Sequence, residues 1–170
     1  MLTGKQNLNA PSDDKRPYQT KITFGVTSAV ITNLALITGL NTLTHPKSGI
    51  IGSILVIALA DNLSDSMGIH LYLESERIRG KEVWLSTLTN FLARLCISLS
   101  FILLIGFLPI QTAVNCSIIW GLAVLAVMSY VIEHKRGTNP FREALVHLGL
   151  AILVITGSHF AGGFLIDKFK

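Results

Sequence analysis

Apolar residues in this chain gather into five long blocks separated by short polar breaks. The blocks run over about residues 22–43, 50–73, 84–108, 111–132 and 143–166. At a rise of 1.5 Å per residue, each is long enough to cross a hydrocarbon core about 30 Å thick. The pattern predicts an all-α integral membrane protein with five transmembrane helices. The breaks at 44–49, 74–83, 109–110 and 133–142 carry Pro46, Pro109 and Pro140 and are too short to hold a soluble domain. One five-helix domain over residues 22–168 is therefore expected. The polar segment 1–21, with Pro11 and Pro17, is expected to be a disordered cytosolic tail. No short apolar core follows a basic start, so the first block is expected to act as the insertion signal itself.

Composition agrees with a lipid-embedded chain. Half of the residues are hydrophobic, 14% are charged and the mean hydropathy is +0.56. The positions of Lys and Arg predict the orientation. Lys5, Lys15, Arg16 and Lys21 precede the first block, Arg77, Arg79 and Lys81 follow the second, and Lys135, Arg136 and Arg142 follow the fourth. The other side holds only Lys47, Lys168 and Lys170. An excess of basic residues marks the cytosolic face, which places the N-terminus in the cytosol and the C-terminus on the opposite side. The net charge of +4 reflects this bias and does not indicate nucleic-acid binding, because the basic residues are scattered over short loops.

The second block breaks the apolar rule near its middle. Asp61 and Asp65 lie four residues apart, on one face of a helix. A carboxylate near mid-bilayer costs roughly 2.5–3.5 kcal/mol on insertion scales. Asn62, Ser66, His70 and Glu74 form an adjacent stripe. The third block contains the one basic residue inside an expected span, Arg94, at a matching depth. It is a candidate structural ion-pair partner for one aspartate. A second carboxylate is then left over, and it suits a proton or a cation.

Other polar groups widen the candidate site. Ser28, Thr32 and Asn33 cluster in the inner half of the first block. Their side chains either bond their own helix backbone or face the same cavity as the aspartates. At the cytosolic edge, His70, Glu74 and Glu76 close the second block, and Glu143 and His147 open the fifth. Carboxylates and imidazoles suit Fe²⁺, Mn²⁺ or Zn²⁺, so these residues are a candidate cytosolic entrance. The alternative is an ordinary charged interfacial belt. Gly157 and Ala161 give a small-residue step in the last block, expected to allow close helix packing.

The segment Ser66-Met67-Gly68, followed by Tyr72-Leu73 and Glu74-Ser75-Glu76, resembles the second helix of the vacuolar iron transporter family. Gly25-Val26-Thr27-Ser28-Ala29-Val30 leading to Ala35-Leu36-Ile37-Thr38-Gly39-Leu40 is similar to that family's first helix, and Phe141-Arg142-Glu143-Ala144-Leu145 to the start of its fifth. The resemblance covers about residues 22–168. It implies a homodimeric exchanger that moves Fe²⁺ or Mn²⁺ out of the cytosol against protons, with no permanently bound cofactor. Of the residues that line the ion path in that family, the methionine matches Met67. The first-helix aspartate is replaced by Ser28, the first-helix proline by Asn33, and the glutamate before the tyrosine by Leu71. The long cytosolic helices between spans two and three are absent, since about ten residues connect them here. Asp61 and Asp65 stand where the family has apolar or small residues, as if the acidic function had moved from the first helix to the second.

The expected function is a divalent metal cation transporter, proton-coupled and exporting from the cytosol. Asp61, Asp65 and Met67 are its expected ligands, and Ser28 and Asn33 line the path. The alternative is a non-transporting membrane scaffold or partner subunit built on the same fold, with Arg94 and the aspartates as structural glue. An enzyme is not expected. No His-Glu-x-x-His or Gly-x-Ser-x-Gly element is present, and an intramembrane aspartyl protease needs its two carboxylates on separate helices. The location implied is the plasma membrane if the source is prokaryotic.

Overall fold

A computed structural model describes residues 16–43, 46–78, 80–136 and 140–169. Among them the chain forms five α-helices: α1 (Arg16–Leu40), α2 (Pro46–Ser75), α3 (Lys81–Phe107), α4 (Ile110–Arg136) and α5 (Pro140–Phe169). Four helical stretches are long and apolar enough to cross a membrane: Pro46–Ser75, Lys81–Phe107, Ile110–Val131 and Ala144–Lys168. In α1 the apolar stretch is shorter, Gly25–Leu40. The chain is an all-α, multi-pass membrane protein.

Helix ends depart from the apolar blocks for local reasons. Pro46 and Pro140 are not loop residues; they open α2 and α5. The first helical position needs no N–H and favours the fixed φ of proline. Pro17 lies in the first turn of α1, where it is equally tolerated. That helix therefore starts at Arg16, within the segment expected to be a disordered tail. Residues 1–15 of that tail lie outside the described residues. The turn after α2 is a Schellman closure. Ile78 N–H donates to Leu73 O at 3.1 Å and Arg77 N–H to Glu74 O at 3.0 Å, with Arg77 at φ 60°. Gly80, at φ 83°, completes the reversal into α3.

Helix α1 is the axis of the bundle. It packs against each of the other four helices, and every side chain described from Gly25 to Thr42 is buried or half-buried. Its Val26, Val30, Leu34 and Ile37 join Ile50, Ile54, Phe101, Ile105, Ala113, Leu125 and Ala151 in one apolar core. The other helices turn apolar side chains outward, such as Leu59, Leu63, Leu103, Ile119, Leu153 and Phe160. That is the surface a hydrocarbon solvent demands.

Glycines set the closest helix approaches. A Cβ at Gly162 of α5 would overlap the Gly39 carbonyl of α1 and lie 2.7 Å from Thr42 Oγ1. The small-residue step expected at Gly157 is not the contact: a Cβ there would meet nothing within 4 Å. The packed face is the neighbouring one, carrying Ser158 and Gly162. At the other end of α1, a Cβ at Gly25 would overlap Asn90 Oδ1 and sit 3.3 Å from the Arg94 side chain. The bundle thus brings the α1 backbone directly against the one arginine in the core.

Candidate functional site

Arg94 lies at the midpoint of α3 and is fully buried, with 0% of its side chain exposed. A guanidinium cannot shed its charge, so at that depth it must be paired. Its Nη2 lies 2.8 Å from Asp61 Oδ2 and its Nη1 2.7 Å from Asp65 Oδ2. Its Nε donates to Asn62 Oδ1 at 2.9 Å, and Nη1 reaches the Gly25 carbonyl at 3.5 Å. The expectation of one paired and one free aspartate is corrected. The one-turn spacing of Asp61 and Asp65 matches the width of the guanidinium fork, so one arginine engages both.

The three ions do not neutralise one another. One guanidinium faces two carboxylates, which leaves a net charge of −1 when all are ionised. The carboxylates are not sealed either: Asp61 is 43% and Asp65 33% exposed, in contrast to the arginine between them. Each turns one side to Arg94 and leaves the other open. Ser28 Oγ on α1 approaches Asp65 Oδ2 at 3.4 Å, so the first helix touches the pair.

An apolar groove of about 770 Å³ runs over α1 between α2 and α5, which do not pack along one another. Thr32, Leu36 and Gly39 form its floor, Ile57 one wall, and Ser158 and Gly162 the other. Ile57 is one helical turn from Asp61, and Thr32 is one turn from Ser28. The lining therefore stops one turn short of Asp61 on α2 and of Ser28 on α1.

The other expected site residues disperse. Met67 is 38% exposed on the outward face of α2, in a row with Leu63 and Leu71. It lies about 200° around the helix from Asp65, so a helix that turns its carboxylates toward α3 must turn Met67 away. Asn33 is fully buried on the far side of α1 from Ser28, where its Nδ2 donates to Ser98 Oγ at 3.1 Å and to Ala29 O at 2.7 Å. It therefore ties α1 to α3 rather than lining a path. Thr38 and Thr42 bond their own helix, at 2.7 Å to Leu34 O and 2.7 Å to Gly39 O.

The expected cytosolic entrance divides between two helix pairs. His70 is buried between α2 and α3, with Nδ1 3.1 Å from Thr87 Oγ1 and Nε2 3.5 Å from Glu74 Oε1. His147 of α5 instead contacts Ser129 Oγ of α4 through Nδ1 at 2.7 Å. Glu76 is exposed in the turn after α2, and the Glu143 side chain lies outside the described residues. Among the described residues, no group of three or more His, Cys, Asp or Glu is placed to hold a metal ion.

The α2–α3 seam carries polar contacts that sequence reasoning left unassigned. Asn90 Nδ2 donates to Ser66 Oγ at 3.0 Å, one turn below the Asn62–Arg94 contact and one turn above His70–Thr87. The three rungs repeat at four-residue spacing on α2, a periodicity visible in the sequence. Asn62 Nδ2 and Asn90 Oδ1 are buried without a hydrogen-bond partner. No protein-family model matches the chain, and no curated protein matches it in sequence.

Proposed function

We propose that this protein transports a divalent metal cation, Fe²⁺ or Mn²⁺, across the membrane in exchange for protons, with Asp61 and Asp65 as the alternating cation and proton site. The proposal includes five spans with the N-terminus in the cytosol, read from the apolar blocks and the distribution of Lys and Arg, and export from the cytosol by a homodimer, implied by the resemblance to the vacuolar iron transporter family. The observation that carries it is the unbalanced triad: two half-exposed carboxylates share one sealed guanidinium. A purely structural clamp needs one carboxylate per arginine. The second costs desolvation energy and supplies a charge that only a further cation or proton cancels.

Arg94 sets the chemistry of such a site. It holds both carboxylates at fixed separation and competes with an incoming cation for their oxygens. Proton and metal then exchange over a small free-energy difference. Met67, on the outward face of α2, is not among the proposed ligands; Ser28 Oγ, beside Asp65, stands at the margin of the site.

A second reading, a non-transporting scaffold or partner subunit, is favoured by the same arginine engaging both carboxylates. Flux separates the two. In proteoliposomes with an imposed pH gradient, the transporter reading expects Fe²⁺ or Mn²⁺ flux that disappears when an ionophore collapses the gradient. Absence of flux from well-folded protein would favour the scaffold.

A further inference from the structure

His70 and Glu74 form a second, smaller arrangement that the ion triad does not use. His70 is 7% exposed, and its ring packs edge-on against Trp84 with centroids 4.6 Å apart. Thr87 Oγ1 lies 2.8 Å from the Val83 carbonyl and 3.1 Å from His70 Nδ1. A threonine hydroxyl has one proton, and a carbonyl can only accept it. The shorter contact takes that proton, so Nδ1 must itself carry hydrogen and donate to Thr87. Nε2 is then the nitrogen with the lone pair.

That lone pair faces a carboxylate. Nε2 lies 3.5 Å from Glu74 Oε1. A charge-assisted bond between an imidazolium and a carboxylate closes to about 2.7–2.9 Å, so this gap is too long for one. Two ligand bonds of about 2.1 Å meeting at a tetrahedral angle separate their donor atoms by about 3.4 Å, which matches the gap. A histidine that ligates through one nitrogen while donating its other N–H to a fixed acceptor is the arrangement metal sites use to set tautomer and ring orientation.

We infer that His70 Nε2 and Glu74 Oε1 form a binding site for a divalent transition-metal ion at the end of the α2–α3 seam. Glu74 is 56% exposed, so the ion reaches it from solvent, and water completes the coordination. Two protein ligands make a site that loads and releases rather than one that stores. Its role as the loading station for Asp61 and Asp65 rests on the transport reading above; the binding itself does not.

The test is titration of the full-length protein in nanodiscs with Co²⁺, followed by its visible absorption and by imidazole ¹⁵N shifts. The expected result is one equivalent bound through His70 Nε2, read from the His70 resonance separately from any ion held at Asp61 and Asp65. Affinity at this site should fall at least tenfold in His70→Gln and in Glu74→Gln. Glu74 is exposed, so its variant keeps the test valid if the His70 variant fails to fold. Co²⁺ affinity within twofold of wild type in Glu74→Gln would overturn the inference, as would a His70 ring protonated at both nitrogens in the presence of Co²⁺. Co²⁺ binding that depends on Glu74 in a protein without metal flux would uphold this site and defeat the transport reading.

Discussion

The α2–α3 seam and the α1–α5 seam meet the same lipid environment in opposite ways. Between α2 and α3, helices are joined by polar rungs: Arg94 with Asp61, Asp65 and Asn62, Asn90 with Ser66, and Thr87 with His70. Between α1 and α5 the closest approach is of backbone to backbone, at Gly162 and Gly39. In lipid, hydrophobic attraction does not hold helices together, so each seam must use either hydrogen bonds or close van der Waals packing. The charged seam also carries more charge than cohesion needs. That excess distinguishes a candidate site from an adhesive.

The comparison breaks most severely at Arg94. Arg94→Leu leaves Asp61 and Asp65 facing each other without a counter-ion, a change expected to cost about 3 kcal/mol, the low end for broken buried pairs because both carboxylates are partly exposed. Thermal melting in detergent should show a large loss of folded protein.

On the glycine seam, Gly162→Ala should cost about 1–3 kcal/mol, because the added methyl must displace the Gly39 backbone. Gly157→Ala, on the open face of the same helix, should leave the melting temperature unchanged. Equal effects of the two alanines would show that α5 presents a different face to α1.

A smaller effect is expected where a single neutral hydrogen bond spans the core. A double-mutant cycle of Asn33→Ala and Ser98→Ala should give a coupling of about 0.6 kcal/mol, the usual strength of such bonds in membranes. A coupling near zero would mean that Asn33 gains its stability from Ala29 O alone.

Much of this architecture is readable from one sequence, and the unreadable part has a common cause. Block lengths reveal the helices, and the depth of Arg94 in the third block reveals its acidic partners. The rotational phase of each helix against its neighbours is not encoded locally. Met67 shares a helix with Asp65, yet points away from it, and His147, expected at the same entrance as His70, packs on Ser129 of another helix pair. Gly157 and Gly162 are equally small, and only packing selects the second. The fork of one arginine spanning two carboxylates follows from their four-residue spacing, but counting charges as pairs conceals it.

The central claim is that Asp61 and Asp65 share Arg94 and that the one negative charge left over serves the ion. Asp61→Asn and Asp65→Asn, made singly, each leave a neutral Arg–Asp pair. Measuring gradient-driven Fe²⁺ and Mn²⁺ flux together with thermal melting of each variant tests the claim directly. The account predicts that both variants melt within a few degrees of wild type while flux falls at least tenfold. Wild-type flux retained by both variants would contradict it.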